Sequence, residues 1–130
     1  MPESKLLNTL VIGVSENPDR YAYKALLSLK AHNHPVWGIG KTETSINGIA
    51  VFALKDVPQL PKIHTITLYV SPKLQHLYWP LITSIQPIRV IFNPGTENTV
   101  LEADLKSLNI KSERACTLIL LQTNQYTETL

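Results

Sequence analysis

The sequence predicts an α/β protein: a doubly wound three-layer sandwich built on a mostly parallel sheet of about five strands. Three observations predict it. The stretch Thr9 to Tyr23 reads as a buried apolar strand, Leu10-Val11-Ile12, that breaks at Gly13 into a polar turn and opens a helix. Further strand-like runs then alternate with segments of helical periodicity along the rest of the chain. The informative turns all fall at one edge, where strands end and helices begin.

Taken in order, Pro18 and Asp19 are helix start signals, and Ala22, Ala25, Leu26 and Leu29 follow at spacings of three and four. That helix should end at His32-Asn33-His34, with Asn33 as a left-handed cap and Pro35 blocking continuation. A second strand, Val36 to Ile39, closes a βαβ unit and should lie parallel to the first. Gly40 to Gly48 reads as a polar surface loop, Ile49 to Phe52 as a short strand and Leu54 to Val57 as one helical turn.

Ile63 to Val70 has strong strand composition and ends at Ser71-Pro72, where Ser71 can cap and Pro72 can take the first helical position. A helix from Pro72 to Ser84, bent near Pro80, should follow. Ile88 to Phe92 is the next strand, Asn93 to Asn98 a loop, Thr99 to Leu108 a helix and Ser112 to Cys116 a last short strand. Thr117 to Gln122 is compatible with a strand or a helical turn. The polar tail, 123–130, is expected to be loose around a core of 7–122.

A chain of 130 residues suits one domain, which should bury roughly two thirds of the surface its unfolded form exposes. Its 44% hydrophobic and 17% charged content is ordinary for a globular protein, and no run approaches the ~18 apolar residues of a membrane span. Met-Pro-Glu-Ser-Lys leads straight into the first strand without the apolar core of a signal peptide. A net charge of +2 without a Lys/Arg cluster argues against nucleic acid, and neither membrane nor nucleic acid is expected as a partner. The single cysteine, Cys116, rules out an intrachain disulfide and agrees with a reducing, cytoplasmic setting.

A strand-turn-helix unit presents free backbone N–H groups and the positive dipole end of the helix to an anion. The first loop lacks the three-glycine dinucleotide fingerprint, since only Gly13 is present and Val14, Ser15 and Asn17 take the remaining positions. Ser15 can offer a hydroxyl and Asn17 an amide to a phosphate, with Arg20 and Tyr21 near the helix start. Equally, Ser15 and Asn17 can satisfy the turn's own backbone. At the end of the second strand, where dinucleotide sites carry an acid, stand Gly40 and Lys41. A cation there suits a ribose bearing an extra phosphate, as in coenzyme A or NADP; the alternative is a solvated loop lysine.

Asn93-Pro94-Gly95-Thr96-Glu97-Asn98 is dense in turn formers and reads as a second wall of the same crevice, with Thr96 or Asn98 capping the next helix. Glu97 is a lone carboxylate, better suited to capping or a loop ion pair than to acid-base work. Cys116 reads as a nucleophile only if its pKa is depressed beside a base, and otherwise as a small buried residue closing the last strand. His32, His34, His64 and His76 lack metal-ligand spacing, so no metal and no catalytic residue is assigned. Trp37, Tyr69, Tyr78, Trp79 and Phe92 read as packing aromatics.

Four motifs in order, Val11 to Tyr21, Tyr69-Val70-Ser71-Pro72, Ile91 to Asn98 and Ala115-Cys116-Thr117-Leu118, resemble the stand-alone CoA-binding domain family. That family is similar to the N-terminal domain of the succinyl-CoA synthetase alpha subunit. The resemblance covers nearly the whole chain and implies a Rossmann-type domain holding coenzyme A across the strand ends. It implies that Gly13-Val14-Ser15 approach the phosphates, that Lys41 lies near the phosphorylated ribose, and that Val70-Ser71-Pro72 and Asn93 to Glu97 line the crevice. The synthetase's phosphohistidine belongs to another domain, so a complete synthetase is not expected.

The resulting expectation is a protein that binds coenzyme A or an acyl-CoA without catalysis of its own. Two rivals stand beside it. One is an NADP-type oxidoreductase, which needs a nicotinamide pocket and a proton donor. The other is a regulatory or interaction module on the same scaffold, with a protein partner or a homo-oligomer in place of a tight ligand.

Overall fold

The computed structural model describes residues 5–128, so Met1 to Ser4 of the N-terminal reading and the last two residues of the tail lie outside it. Among the described residues seven strands form one sheet: β1 (Thr9–Val14), β2 (Val36–Gly40), β3 (Thr44–Ile46), β4 (Ile49–Ala53), β5 (Thr65–Leu68), β6 (Arg89–Phe92) and β7 (Lys111–Arg114). The α-helices of the described residues are α1 (Tyr21–Ala31), α2 (Trp79–Ile85), α3 (Thr99–Ser107) and α4 (Thr117–Gln122). The spatial order is β3-β4-β2-β1-β5-β6-β7, with every pair parallel except β3 and β4. Numbering the parallel strands alone gives the order 3-2-1-4-5-6 of a Rossmann-like sheet, in which the winding reverses between β1 and β5.

Alternation along β1 divides the core. Val11 faces α1 and α4 with Leu26, Leu29, Leu120 and Leu121, whereas Leu10 and Ile12 face α2 and α3 with Ile82, Leu101 and Leu105. β1 itself is buried along nearly its full length because it is covered on both faces and paired on both edges. The expected packing aromatics lie in these two layers, Tyr69 against the first and Trp37, Tyr78, Trp79 and Phe92 in the second.

Several expectations are corrected. The sheet has seven strands rather than about five. The stretch from Gly40 to Gly48 is not all surface loop: β3 runs back along the sheet edge and turns at Asn47-Gly48, whose φ values of 48° and 80° suit a tight hairpin. Ile46 on β3 is buried, and the Lys30 ammonium donates to the Asn47 carbonyl. The edge strand therefore replaces a crossover helix between β2 and β4.

Pro72–Tyr78 is a 3₁₀ segment, and Pro80 lies in the first turn of α2 rather than bending a helix begun at Pro72. α1 begins at Tyr21, because Asn17 to Arg20 form a turn. The segment from Thr117 is a helix, and Cys116 stands at its N-cap, half-buried, instead of closing the last strand.

The tail is not loose over its described part. Tyr126 is 2% exposed, its hydroxyl 2.6 Å from Thr9 Oγ1 and its ring 4.6 Å beneath the Arg89 guanidinium. Fully buried Arg89 donates to Glu113, to Thr65 Oγ1 and to the Tyr126 carbonyl, so the chain end is tied to the amino edge of the sheet.

Candidate functional site

At the opposite, carboxyl edge the reversal between β1 and β5 opens a cleft of about 810 Å³. The β1–α1 turn forms its floor through Gly13, Val14, Ser15, Glu16 and Asn17, continued by Arg20, Tyr21 and Ala22 at the start of α1. On the β2 side it is lined by Gly40, Lys41, Thr42, Thr44 and Val51, and on the β5 side by Tyr69, Val70, Ser71, Leu74 and Tyr78.

The floor is shaped by the backbone. Gly13 has φ 103°, and the β1–β2 register shifts there, between Ile12 and Val14. A Cβ at this position would stand 2.8 Å from the Tyr69 carbonyl oxygen. Glycine is thus required by the approach of β1 to the strand beside it as well as by its positive φ. Gly40 is similarly close-packed, since a Cβ there would stand 2.7 Å from the Val14 carbonyl oxygen.

Within the turn, the Asn17 N–H donates to Ser15 Oγ at 3.1 Å and the Asp19 N–H donates to Asn17 Oδ1 at 2.9 Å. Both side chains brace the turn, while the Ser15 hydroxyl keeps its own proton to donate. α1 starts with no side-chain cap and no acid in its first turn. Its positive dipole end therefore meets the cleft without a carboxylate of its own helix to offset it. Among the described residues Arg20 and Lys41 are the two cations of the lining, both exposed. Glu16 is the only acid among the described residues of the lining, and its Oε2 accepts from Thr44 Oγ1 at 3.3 Å.

The structure thus brings together Gly13, Val14, Ser15, Asn17, Arg20, Lys41, Val70 and Ser71. It does not bring Pro72 or the loop from Asn93 to Glu97 into that lining. Asn93 is buried between strands: its amide donates to Thr67 Oγ1 (2.6 Å) and the Leu68 carbonyl (2.8 Å), and its Oδ1 accepts from the Thr117 N–H (2.9 Å). Thr96 folds its hydroxyl onto the Asn93 carbonyl at 2.7 Å. Pro94 and Gly95 are exposed, and Glu97 accepts from the Gly95 N–H at 2.9 Å. Asn98 caps α3 by accepting from the Leu101 N–H.

Gln75, which the sequence did not single out, secures this wall. It is buried and donates to the carbonyls of Val70 and Thr96, while Asn98 donates to its Oε1. The lining residues Thr42 and Thr44 were also missed. The Asn47-Gly48 hairpin signal could have found them, because it predicts an edge strand that returns past the end of β2.

Burial pushes the Tyr69 hydroxyl well above the usual phenol range, and also raises that of Tyr78. Both phenols are therefore neutral at physiological pH. Among the described residues no group of three His, Cys, Asp or Glu side chains is placed to hold a metal ion, and no helix is long and apolar enough to cross a membrane.

The model of the CoA binding domain family matches residues 8–122. The chain belongs to that family. The CoA binding domain here is similar in structure to a protein described only as uncharacterized, at 34% identity and TM-score 0.87, over 94% of this chain and 99% of that one. It shares its fold with a Thermus thermophilus protein designated cell-free ID.343, at 18% identity and TM-score 0.79, over 92% of this chain and 90% of the other. A hypothetical protein from Pyrococcus horikoshii has the same fold at 20% identity and TM-score 0.74, over 88% and 81% of the two chains. No protein of curated function matches the sequence.

Proposed function

We propose that this CoA binding domain holds coenzyme A or an acyl-CoA in the cleft at the carboxyl edge of the sheet and performs no catalysis of its own. The observation that carries the reading is the convergence of Arg20, Lys41 and the uncapped start of α1 on one cleft in a chain of this family. Coenzyme A presents a pyrophosphate and a separate ribose phosphate. The Gly13-Val14-Ser15 turn and the first N–H groups of α1 suit the pyrophosphate, with Asn17 and Arg20 beside it. Lys41, across the end of β2, suits the ribose phosphate. Val70 and Ser71 flank the path toward the thiol.

Among the described residues of the lining, Glu16 is the single carboxylate and no histidine or cysteine joins it, which supports the non-catalytic part of the reading. The single cysteine of the chain supports a reducing, cytoplasmic setting.

Thermal unfolding with coenzyme A, NADP and NAD in parallel tests the binding reading, after native mass spectrometry has shown whether ligand is retained from expression. Ligand at ~100 times its dissociation constant stabilises the native state by about 2.7 kcal/mol, a rise of several degrees for a domain of this size. Coenzyme A alone should produce it. A rise with NADP and none with coenzyme A would replace this reading with the oxidoreductase, and none with any of the three in ligand-free protein would favour an interaction module.

A further inference from the structure

The two ends of the cleft differ in chemistry. β2 and β4 lie on one side of β1 and β5 on the other, so residues following β2 and β5 stand on opposite sides of the central turn. On the β2 side the lining carries a cation and two hydroxyls, from Lys41, Thr42 and Thr44, beside Gly40 and Val51. On the β5 side, Tyr69, Val70, Ser71, Leu74 and Tyr78 include no charged side chain. Lys73 and His76, the basic residues of the adjoining 3₁₀ segment, fall outside the lining.

The apolar side is also under-covered. Leu74, which lines the cleft, is 46% exposed, whereas Tyr21, across the mouth on α1, has the Lys24 ammonium 5.5 Å from its ring centroid. A leucine half-exposed inside a ligand cleft offers its free face to the ligand. A pyrophosphate over the central turn with its ribose phosphate at Lys41 directs the other arm of coenzyme A, which ends in the thiol, to this side.

We infer that the β5 side of the cleft, walled by Leu74 and Tyr78, receives the acyl group of an acyl-CoA and selects an uncharged, apolar acyl chain over one ending in a carboxylate. The inference rests on the coenzyme A reading above. A carboxylate carried to Leu74 and Tyr78 would lose water without gaining a cation from the β5-side lining. An alkyl chain would instead remove the exposed face of Leu74 from water.

Calorimetric titration of the whole chain with coenzyme A, butanoyl-CoA, hexanoyl-CoA and succinyl-CoA tests it, because butanoyl and succinyl groups have the same number of carbons and differ in charge. Hexanoyl-CoA should bind about 10-fold more tightly than coenzyme A, and succinyl-CoA about 10-fold more weakly than butanoyl-CoA. Leu74→Asp should collapse the ratio of hexanoyl-CoA to coenzyme A affinity toward one. Leu77→Asp, on the same segment but outside the lining, should leave that ratio unchanged, with circular dichroism confirming that both variants fold. Equal affinity for coenzyme A and hexanoyl-CoA, or tighter succinyl-CoA than butanoyl-CoA, would overturn the acyl inference while leaving the coenzyme A reading standing. Binding of none of the four would overturn that reading and the acyl site with it.

Discussion

The backbone of Gly13 lies so close to that of Tyr69 that a Cβ on the glycine would stand 2.8 Å from the Tyr69 carbonyl oxygen and 2.9 Å from its carbon. The two strands around which the sheet reverses are thereby locked at the floor of the cleft, and the Tyr69 N–H donates to the Ile12 carbonyl at 2.9 Å beside the contact. Gly13→Ala must shift one strand or abandon φ 103°. We expect it to cost about 2 kcal/mol or more of stability in urea unfolding. A variant as stable as the wild type would show that the strands can separate freely here. Loss of ligand by such a variant reports on the fold first, so Gly13 is a poor probe of phosphate contact.

Asn93 separates a wall residue from a structural one. Its side chain joins β5, β6 and α4 through Thr67, Leu68 and Thr117. Asn93→Ala leaves these buried groups without their partner and should lower stability by about 2 to 4 kcal/mol. In the fraction that remains folded, coenzyme A affinity should change less than threefold. Large loss of affinity at full stability would return Asn93 to the binding surface.

Stability should depend on pH through His34. Its Nδ1 accepts the Leu7 N–H at 2.9 Å, and burial lowers its pKa from the ordinary 6.5, with His32 and Arg89 adding to the effect. Because the folded state disfavours the charged ring, the unfolded chain takes up protons first as the pH drops. The stabilisation is whole above about pH 6.5 and is lost as the pH falls through the lower folded-state value. His64, lowered by burial and by Arg89, acts in the same direction. Urea unfolding at pH 7.5 and 5.5 should show lower stability at 5.5, and His34→Gln should reduce that difference. An unchanged pH dependence in the variant would contradict this assignment.

Arg20 and Lys41 should be distinguishable by ligand. Arg20→Ala is expected to weaken coenzyme A and its dephospho form alike, about three- to tenfold for an exposed cation. Lys41→Ala should weaken coenzyme A by a similar factor and dephospho-coenzyme A hardly at all. Equal losses in the lysine variant would remove Lys41 from the ribose phosphate. Neither effect should survive high salt at full size, since both side chains are exposed.

What was legible in the sequence was carried by local signals. The apolar run into Gly13, the periodic face of α1, and Asn33, whose φ is 67°, each state a local conformation in their own residue types. What was missed depends on partners far along the chain. Thr44-Ser45-Ile46 is too short to show a strand period, and only its pairing with Ile49 to Val51 makes it one. The tail looks polar, yet Tyr126 is held by Thr9, His34 and Arg89, all more than 30 residues away. The loop from Asn93 has the turn formers of a ligand loop, but buried Gln75 and Thr117 claim its polar groups. Polar residues at strand ends signal a turn, whereas which side of the sheet they serve is set by tertiary packing.

The most direct test of the account is an amide-resolved NMR titration of the isotopically labelled chain with coenzyme A. The largest shifts should cluster at Gly13 to Asn17, Tyr21-Ala22, Gly40 to Thr44 and Tyr69 to Ser71, with the groove formed by Val57 to Ile63 and α2 at the other edge unaffected. Shifts centred on that second groove, or no saturable shifts at all, would contradict it.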